Sequence, residues 1–372
     1  MKVLQLGKAY PPVNLGGVEV VIKLLAEGLN ENNVLCDVLG VNSSYNFVVE
    51  EGKFGGKIFR TKLIKKMFST LLSLQLISKL YELRNEYQII HIHSPDPMAA
   101  LALFIVKPKC KIVLHWHSDI LKQRILLVFY FPILKWLLKR SDLILATSPN
   151  YIEGSYLLRK FKKKVEVLAI GIDNTIPNKI DKSIKNKFEG KKIIFSLGRF
   201  SYYKGYEYLV KSMEFLSDDY ILILAGDGSE RKKIEKIITE KKLNNKINLV
   251  GKIDDYLKDQ FFQICDVFVL SSILKTEAFA IVQVEALSYG KPIISTKIEG
   301  SGVDWVNNDG ETGYIVPIKD PIAISNSIVK LLSNEDLSKF KLNSKIRFNK
   351  KFTKKVMIDN LLKKYTRLAN SN

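Results

Sequence analysis

Twice along this chain, short apolar runs alternate with helix-like stretches, and that repetition restricts the fold more than any other feature. The first series has strand-like runs at Val3–Leu6, Cys36–Val41, Ile89–His93, Lys111–His115, Leu143–Ala146 and Val165–Ala169. The pattern then restarts with Lys192–Leu197, Tyr220–Ala225, Ile247–Val250, Val267–Leu270 and Pro292–Thr296. Helical stretches separate most of these, as at Val18–Leu29, Gly205–Leu216 and Glu230–Lys241. Near-continuous apolar strands between amphipathic helices indicate parallel sheet covered on both faces. The expected fold class is α/β, with two Rossmann-like parallel-sheet domains facing a cleft. The turn-rich run Asp173–Lys179 marks the boundary. The expected domains are therefore 1–176, 177–352, and a C-terminal helix and tail at 353–372 that could pack back on the first domain.

With 372 residues, each domain has enough chain for its own core. The formal charge of +20 calls for an anionic partner: nucleic acid, a phosphate-bearing ligand or an acidic membrane face. Three scattered cysteines, Cys36, Cys110 and Cys265, show no C-x2-C spacing and read as small core thiols of a cytoplasmic protein. The amino terminus runs straight into a strand pattern, with no apolar core or cleavage site of a signal peptide. The longest apolar run, Ile125 to Leu134, is too short to span a bilayer.

Ligands of open parallel sheets bind beyond the carboxyl ends of the strands, so the chemistry is sought there. Gly16-Gly17-Val18-Glu19 lets a ligand approach the start of a helix. All four histidines, His91, His93, His115 and His117, fall at the ends of two runs, each pair on one face of its strand. No cysteine or carboxylate completes a metal-ligand spacing around them. Arg199 and Lys204 follow the first strand of the second series and suit a diphosphate, unless they are merely solvated cations of a basic protein. Gly226-Asp227-Gly228 follows the next strand and lacks the third glycine of a dinucleotide fingerprint.

Glu277 and Glu285 lie eight positions apart in an apolar stretch closed by Gly290-Lys291-Pro292. On a helix beginning near Glu277 they share one side, with Glu277 in the first turn beside free backbone N–H groups. No Asp-x-Asp occurs, so a metal held by paired carboxylates is not indicated.

In order, these pieces resemble glycosyltransferase family 4, of the retaining GT-B class, and most closely its O-antigen and capsule-type sugar transferases. The resemblance rests on Gly-Gly-x-Glu at 16–19, His-x-His-Ser-Pro at 91–95, His-Ser-Asp at 117–119, Gly-Arg and Lys-Gly at 198–205, Gly-x-Gly at 226–228, Glu-x7-Glu at 277–285 and Asp-Gly-x-Thr-Gly at 309–313. It implies a hexosyltransferase that takes a nucleotide-diphosphate sugar (GDP-mannose or a UDP-sugar) and extends a polyprenyl-diphosphate-linked surface polysaccharide. Glu277 and His117 would be catalytic. Gly17, Arg199, Lys204, Gly226, Phe279, Ala280, Ile281 and Glu285 would bind the donor, with Glu285 on the ribose. Neither a metal nor another cofactor is implied. Ala280 departs from the pattern, standing where the family usually has glycine. So does Leu168–Asp173, where a Pro-Asn-Gly-Val-Asp hinge is commoner.

Two basic stretches with apolar or aromatic residues, Lys57–Lys79 and Lys122–Arg140, read as interfacial patches for an anionic leaflet or as core helices with solvated lysines. The resemblance favours the first reading, and with it a cytoplasmic enzyme held peripherally at the inner membrane. A nucleotide-sugar epimerase on the same fold is an alternative. A basic nucleic-acid-binding protein is a remote one, since no reader motif is present and nucleic acid is not an expected partner.

Overall fold

The computed structural model describes the whole chain except residues 13–15, 68–69, 121–123, 175–176, 334, 336 and 371–372. The side chains of residues 124–127 and 129 are likewise outside the description. The chain forms two compact units, Met1–Gly171 with Lys354–Asn372, and Ile172–Thr353. The first crossing falls five residues before the turn-rich boundary expected at 176/177, and the second falls one residue into the expected tail.

The first unit holds β1 (Lys2–Leu6), β2 (Leu35–Val41), β3 (Val48–Glu51), β4 (Lys57–Thr61), β5 (Lys65–Met67), β6 (Thr70–Leu72), β7 (Ile89–Ser94), β8 (Lys111–Trp116), β9 (Leu143–Ala146) and β10 (Val165–Val167). Eight of these make one sheet in the order β10-β9-β8-β7-β1-β2-β4-β3, while β5 and β6 form a separate hairpin. Every pairing in the large sheet is parallel except β3 with β4 at the edge. The chain leaves β1 towards β2 and later returns to the other side of β1 as β7. The sheet's topological switch point therefore lies between β1 and β7, where such folds open a crevice at the strand ends. Asp96 shapes that point. Its carboxylate caps helix Pro97–Val106 by accepting from the Met98 and Ala99 amides at 3.1 Å, and it also accepts from the Lys8 amide after β1.

Helix Lys354–Asn370 belongs to this unit. Lys354 pairs with Glu31 at 3.0 Å, Lys364 pairs with Glu166 at 2.6 Å, and Tyr365 is fully buried against His91.

The second unit has β11 (Lys192–Leu197), β12 (Tyr220–Ala225), β13 (Ile247–Gly251), β14 (Val267–Leu270), β15 (Ile293–Thr296) and β16 (Gly313–Val316), all parallel, in the order β13-β12-β11-β14-β15-β16. Its switch point lies between β11 and β14. Ile194, Leu222, Leu224, Val267 and Val269 point to one face, where helices Tyr206–Ser212 and Pro321–Leu332 cover them.

Three expectations change. The Lys57–Lys79 stretch contains a strand and a hairpin before its helix, Leu74–Leu83, begins. Arg60 is no surface cation: it is 5% exposed, pairs with Glu50 at 3.0 Å and donates to the Tyr10 and Pro11 carbonyls at 2.6 and 2.9 Å. Cys36 and Cys265 are buried, but Cys110 is only partly so. Among the described residues no helix is long and apolar enough to cross a membrane.

Candidate active site

The loops after β11 and β14 meet at the second unit's switch point. They are held by one ion pair: Lys204 Nζ lies 2.5 Å from Glu277 Oε2, and both side chains are about nine-tenths buried. Ser272 donates to the same carboxylate oxygen at 2.8 Å, and Ser301 donates to the Glu277 carbonyl. Among the described residues Glu277 Oε1 has no hydrogen-bond partner and remains an open acceptor. Burial opposes the charge on Lys204, but Glu277, Tyr206 and Tyr203 outweigh it and hold the ammonium pKa above its ordinary value. Lys204 is thus neither a solvated cation nor a free one.

Arg199 is the opposite case. It is exposed, and among the described residues its guanidinium has no ion-pair partner. It neighbours Tyr203, whose hydroxyl pKa is raised by burial despite the nearby Lys204 and Arg199 charges. Gly226, after β12, packs flat against this loop. A Cβ there would sit 1.9 Å from the Gly198 carbonyl oxygen, and its φ of +134° is open only to glycine.

The helix predicted from Glu277 starts later, at Ile281, and runs to Ser288. Glu277 lies in the preceding loop, with its amide bonded to the Leu274 carbonyl at 2.9 Å. The argument that eight residues place both carboxylates on one helical side is therefore wrong; only Glu285 is on the helix. Ala280 causes the break. It is the helix N-cap with φ +61° and ψ +78°, a left-handed conformation that glycine adopts at less cost than alanine. Phe279 is buried, edge-on to Phe352 with ring centroids 6.0 Å apart, and anchors the loop. Glu285 accepts from Lys258 at 3.1 Å, a partner that the sequence did not suggest. Burial lowers the Lys258 pKa less than Glu285 and Asp255 raise it, so its ammonium is also held above the ordinary value.

In the first unit, Gly17 opens helix Gly17–Glu31 behind the Gly16 N-cap, with Glu19 in the first turn. The four histidines gather into one stack. His115 and His117 rings are 4.2 Å apart, His91 and His93 4.8 Å, and His93 and His117 5.2 Å. His93 Nδ1 is 2.9 Å from His117 Nε2, and His93 Nε2 is 2.7 Å from Gln5 Oε1. Burial holds the pKa of His91, His93 and His117 well below the imidazole range, reinforced by their neighbours, and that of His115 falls to about 3. At neutral pH all four are uncharged. Nitrogen atoms of His91, His93 and His115 lie within 4.8 Å of one another, close enough to consider a metal. Both His93 nitrogens, however, are already engaged by Gln5 and His117. Lys8 stands beside His117 and was not anticipated, since nothing in the β1 motif points to it. A recess of about 460 Å³ bordered by Lys2, Leu35 and Lys57 lies at the amino ends of the strands, away from this chemistry.

Two parallel-sheet units, the second with a buried ion pair at its switch point, have the architecture of the GT-B fold. The solved structures agree on the fold. Sucrose-phosphate synthase from Thermosynechococcus elongatus superposes with a TM-score of 0.81 at 20% identity, covering 100% of both chains. Anabaena HepE, solved in complex with UDP, gives 0.76 at 20% identity over 99% of this chain and 100% of its own.

Residues 15–175 match the family described as Glycosyltransferase Family 4, and residues 177–351 match Glycosyl transferases group 1. The chain is 30% identical to O-antigen chain mannosyltransferase C of Escherichia coli over 377 residues, 100% of each chain. It is 31% identical to D-rhamnosyltransferase WbpZ of Pseudomonas aeruginosa over 358 residues, 95% of this chain and 92% of the relative. The chain belongs to the family 4 glycosyltransferases, and it is a glycosyltransferase of the polysaccharide-building kind.

Proposed function

We propose that this glycosyltransferase moves a hexose, with retention and without a metal, from a nucleotide-diphosphate sugar to a lipid-linked polysaccharide. The observation that carries the reading is the second unit's switch point, where Arg199, exposed and among the described residues without an ion-pair partner, shares a loop with the lysine of a buried lysine–glutamate pair. Breaking the sugar–phosphate bond builds negative charge on the diphosphate and oxocarbenium character on the sugar. Arg199 supplies a planar, permanently charged fork for the diphosphate, and Lys204 adds a fixed positive charge behind it. Glu277, anchored through Oε2, keeps Oε1 to accept from sugar hydroxyls near the reacting carbon. Glu285 accepts from the ribose and His117 serves the acceptor side of the reaction. Gly17, Gly226, Phe279, Ala280 and Ile281 shape the backbone that the donor approaches.

The donor is GDP-mannose or a UDP-sugar. The Escherichia coli relative is a mannosyltransferase by name, and HepE has been solved with UDP-glucose. A polyprenyl-diphosphate acceptor places the enzyme on the inner leaflet. Exposed Ile64 and Met67 beside Lys65 and Lys66 on the β5–β6 hairpin, and exposed Val128 and Phe131 on helix Arg124–Arg140, support peripheral contact there. Lys122 and the side chain of Phe129 in that patch lie outside the description.

The test is transfer from radiolabelled GDP-mannose and UDP-hexoses to a polyprenyl-diphosphate oligosaccharide in anionic vesicles, with and without EDTA. Product of retained anomeric configuration, formed in EDTA, is expected. An inverted product, loss of activity with EDTA, or a donor that is isomerised without acceptor would overturn the reading.

A further inference from the structure

Gln5 is fully buried on β1, a strand that carries no residue of the proposed reaction, yet its side chain ends one bond away from the histidine stack. We propose that Gln5 and His93 are positioning residues that fix the tautomer of His117, leaving His117 Nδ1 as a bare acceptor for a hydroxyl of the sugar substrate. The inference rests on the reading of His117 given above.

The carbonyl oxygen Gln5 Oε1 only accepts, so the 2.7 Å contact requires a proton on His93 Nε2. A neutral imidazole carries one proton, so His93 Nδ1 has none and accepts. The 2.9 Å contact to His117 Nε2 must then be filled by a proton on that atom. His117 is neutral as well, so its Nδ1 holds a lone pair, and among the described residues nothing donates to it. The neutrality of both rings follows from their burial among other imidazoles and beside Lys8.

The geometry also restrains ring rotation. His115 stacks on His117 at 4.2 Å and 27°, and the His117 amide donates to the Ser94 carbonyl at 2.9 Å, extending the β7–β8 ladder one step. The NH2 end of Gln5 is buried with no hydrogen-bond partner among the described residues, and burial raises the pKa of both the Cys36 thiol and the Tyr365 hydroxyl near it. The Tyr365 hydroxyl lies 2.5 Å from His91 Nδ1 and can donate to it. A Gln5 amide turned end for end would reverse every step and make His117 Nδ1 a donor. The two arrangements are thus chemically distinct at the substrate.

With only four histidines in the chain, long-range proton–nitrogen correlation spectra of the full protein labelled with nitrogen-15 histidine report each tautomer directly. At pH 7.5 the wild type is expected to show His117 protonated on Nε2 alone. Gln5→Leu should shift His117 towards the Nδ1-protonated form and lower kcat about tenfold, with KM for the nucleotide sugar unchanged. Gln5→Glu, which retains the acceptor, should restore the tautomer. A wild-type His117 protonated on Nδ1 overturns the proposal without any variant, as does a His117 tautomer that ignores Gln5→Leu. Absence of transfer from every nucleotide sugar would instead strike the functional reading, because the spectra need no activity.

Discussion

Removing the Glu277 carboxylate should destabilise the second unit before any question of catalysis arises. Its partner Lys204 is about nine-tenths buried, with its charge held by Glu277 2.5 Å away. Glu277→Ala leaves that ammonium buried and uncompensated, a loss of about 3–5 kcal/mol. For a unit of this size, each kcal/mol moves the midpoint by about 2–4 °C, so Tm should fall by about 6–20 °C. Glu277→Gln should lose less, because the amide oxygen still accepts from Ser272 and from the ammonium. The double variant Lys204→Met/Glu277→Leu removes both charges and should recover most of the loss. The remaining deficit is about 1 kcal/mol for the Ser272 hydroxyl that loses its acceptor. Calorimetric melts of the wild type, the double variant and its two single variants, Lys204→Met and Glu277→Leu, close a double-mutant cycle. A Glu277→Ala midpoint within 2 °C of wild type, or a double variant as unstable as the two single losses added, would refute the reasoning. Transfer activity should be lost in every one of these variants.

Other consequences follow from the same geometry. Because the four histidines are neutral when folded and ordinary when unfolded, the unfolded chain binds more protons below about pH 6.5, so stability falls as pH falls. Urea melts should show a lower midpoint at pH 5 than at pH 7.5; equal midpoints would contradict it. Gly226→Ala forces a Cβ into the Gly198 carbonyl and should lower both the second unit's midpoint and nucleotide binding, as read by calorimetry. Ala280→Gly relieves a left-handed alanine but loosens the unfolded chain, so its melt should move by no more than about 1 kcal/mol in either direction. Glu285→Ala should leave the melt within about 1 kcal/mol, since its pair with Lys258 is partly exposed, while nucleotide affinity falls at least tenfold.

The sequence revealed the strands that are apolar on both faces. Leu143–Ala146 and Val267–Leu270 are fully buried, as apolar runs inside a parallel sheet are. It hid β3, an exposed edge with two glutamates, and β4, whose Lys57 and Arg60 read as surface charge. The four residues of β16 were lost among turn signals. At the site, the residue types were legible but one element was not. Phe279-Ala280-Ile281-Val282 reads as continuous helix, and no glycine warns that Ala280 turns left-handed. The partners Lys258 and Gln5 were out of reach for another reason. Lys258 meets Glu285 only through helix packing, and Gln5 meets His93 only because β1 pairs with β7 across more than eighty residues.

The proposed function requires the loops after β11 and β14 to hold a nucleoside diphosphate through Arg199. Titration calorimetry of GDP, UDP, ADP and dTDP into the wild type and Arg199→Ala tests it most directly. Arg199 is exposed and, among the described residues, has no ion-pair partner, so the variant should melt with the wild type. One nucleotide should bind the wild type, and the variant's Kd for it should be at least tenfold higher. Equal affinity in the two proteins would remove Arg199 from the site, and no binding of any of the four to a folded wild type would contradict the account itself.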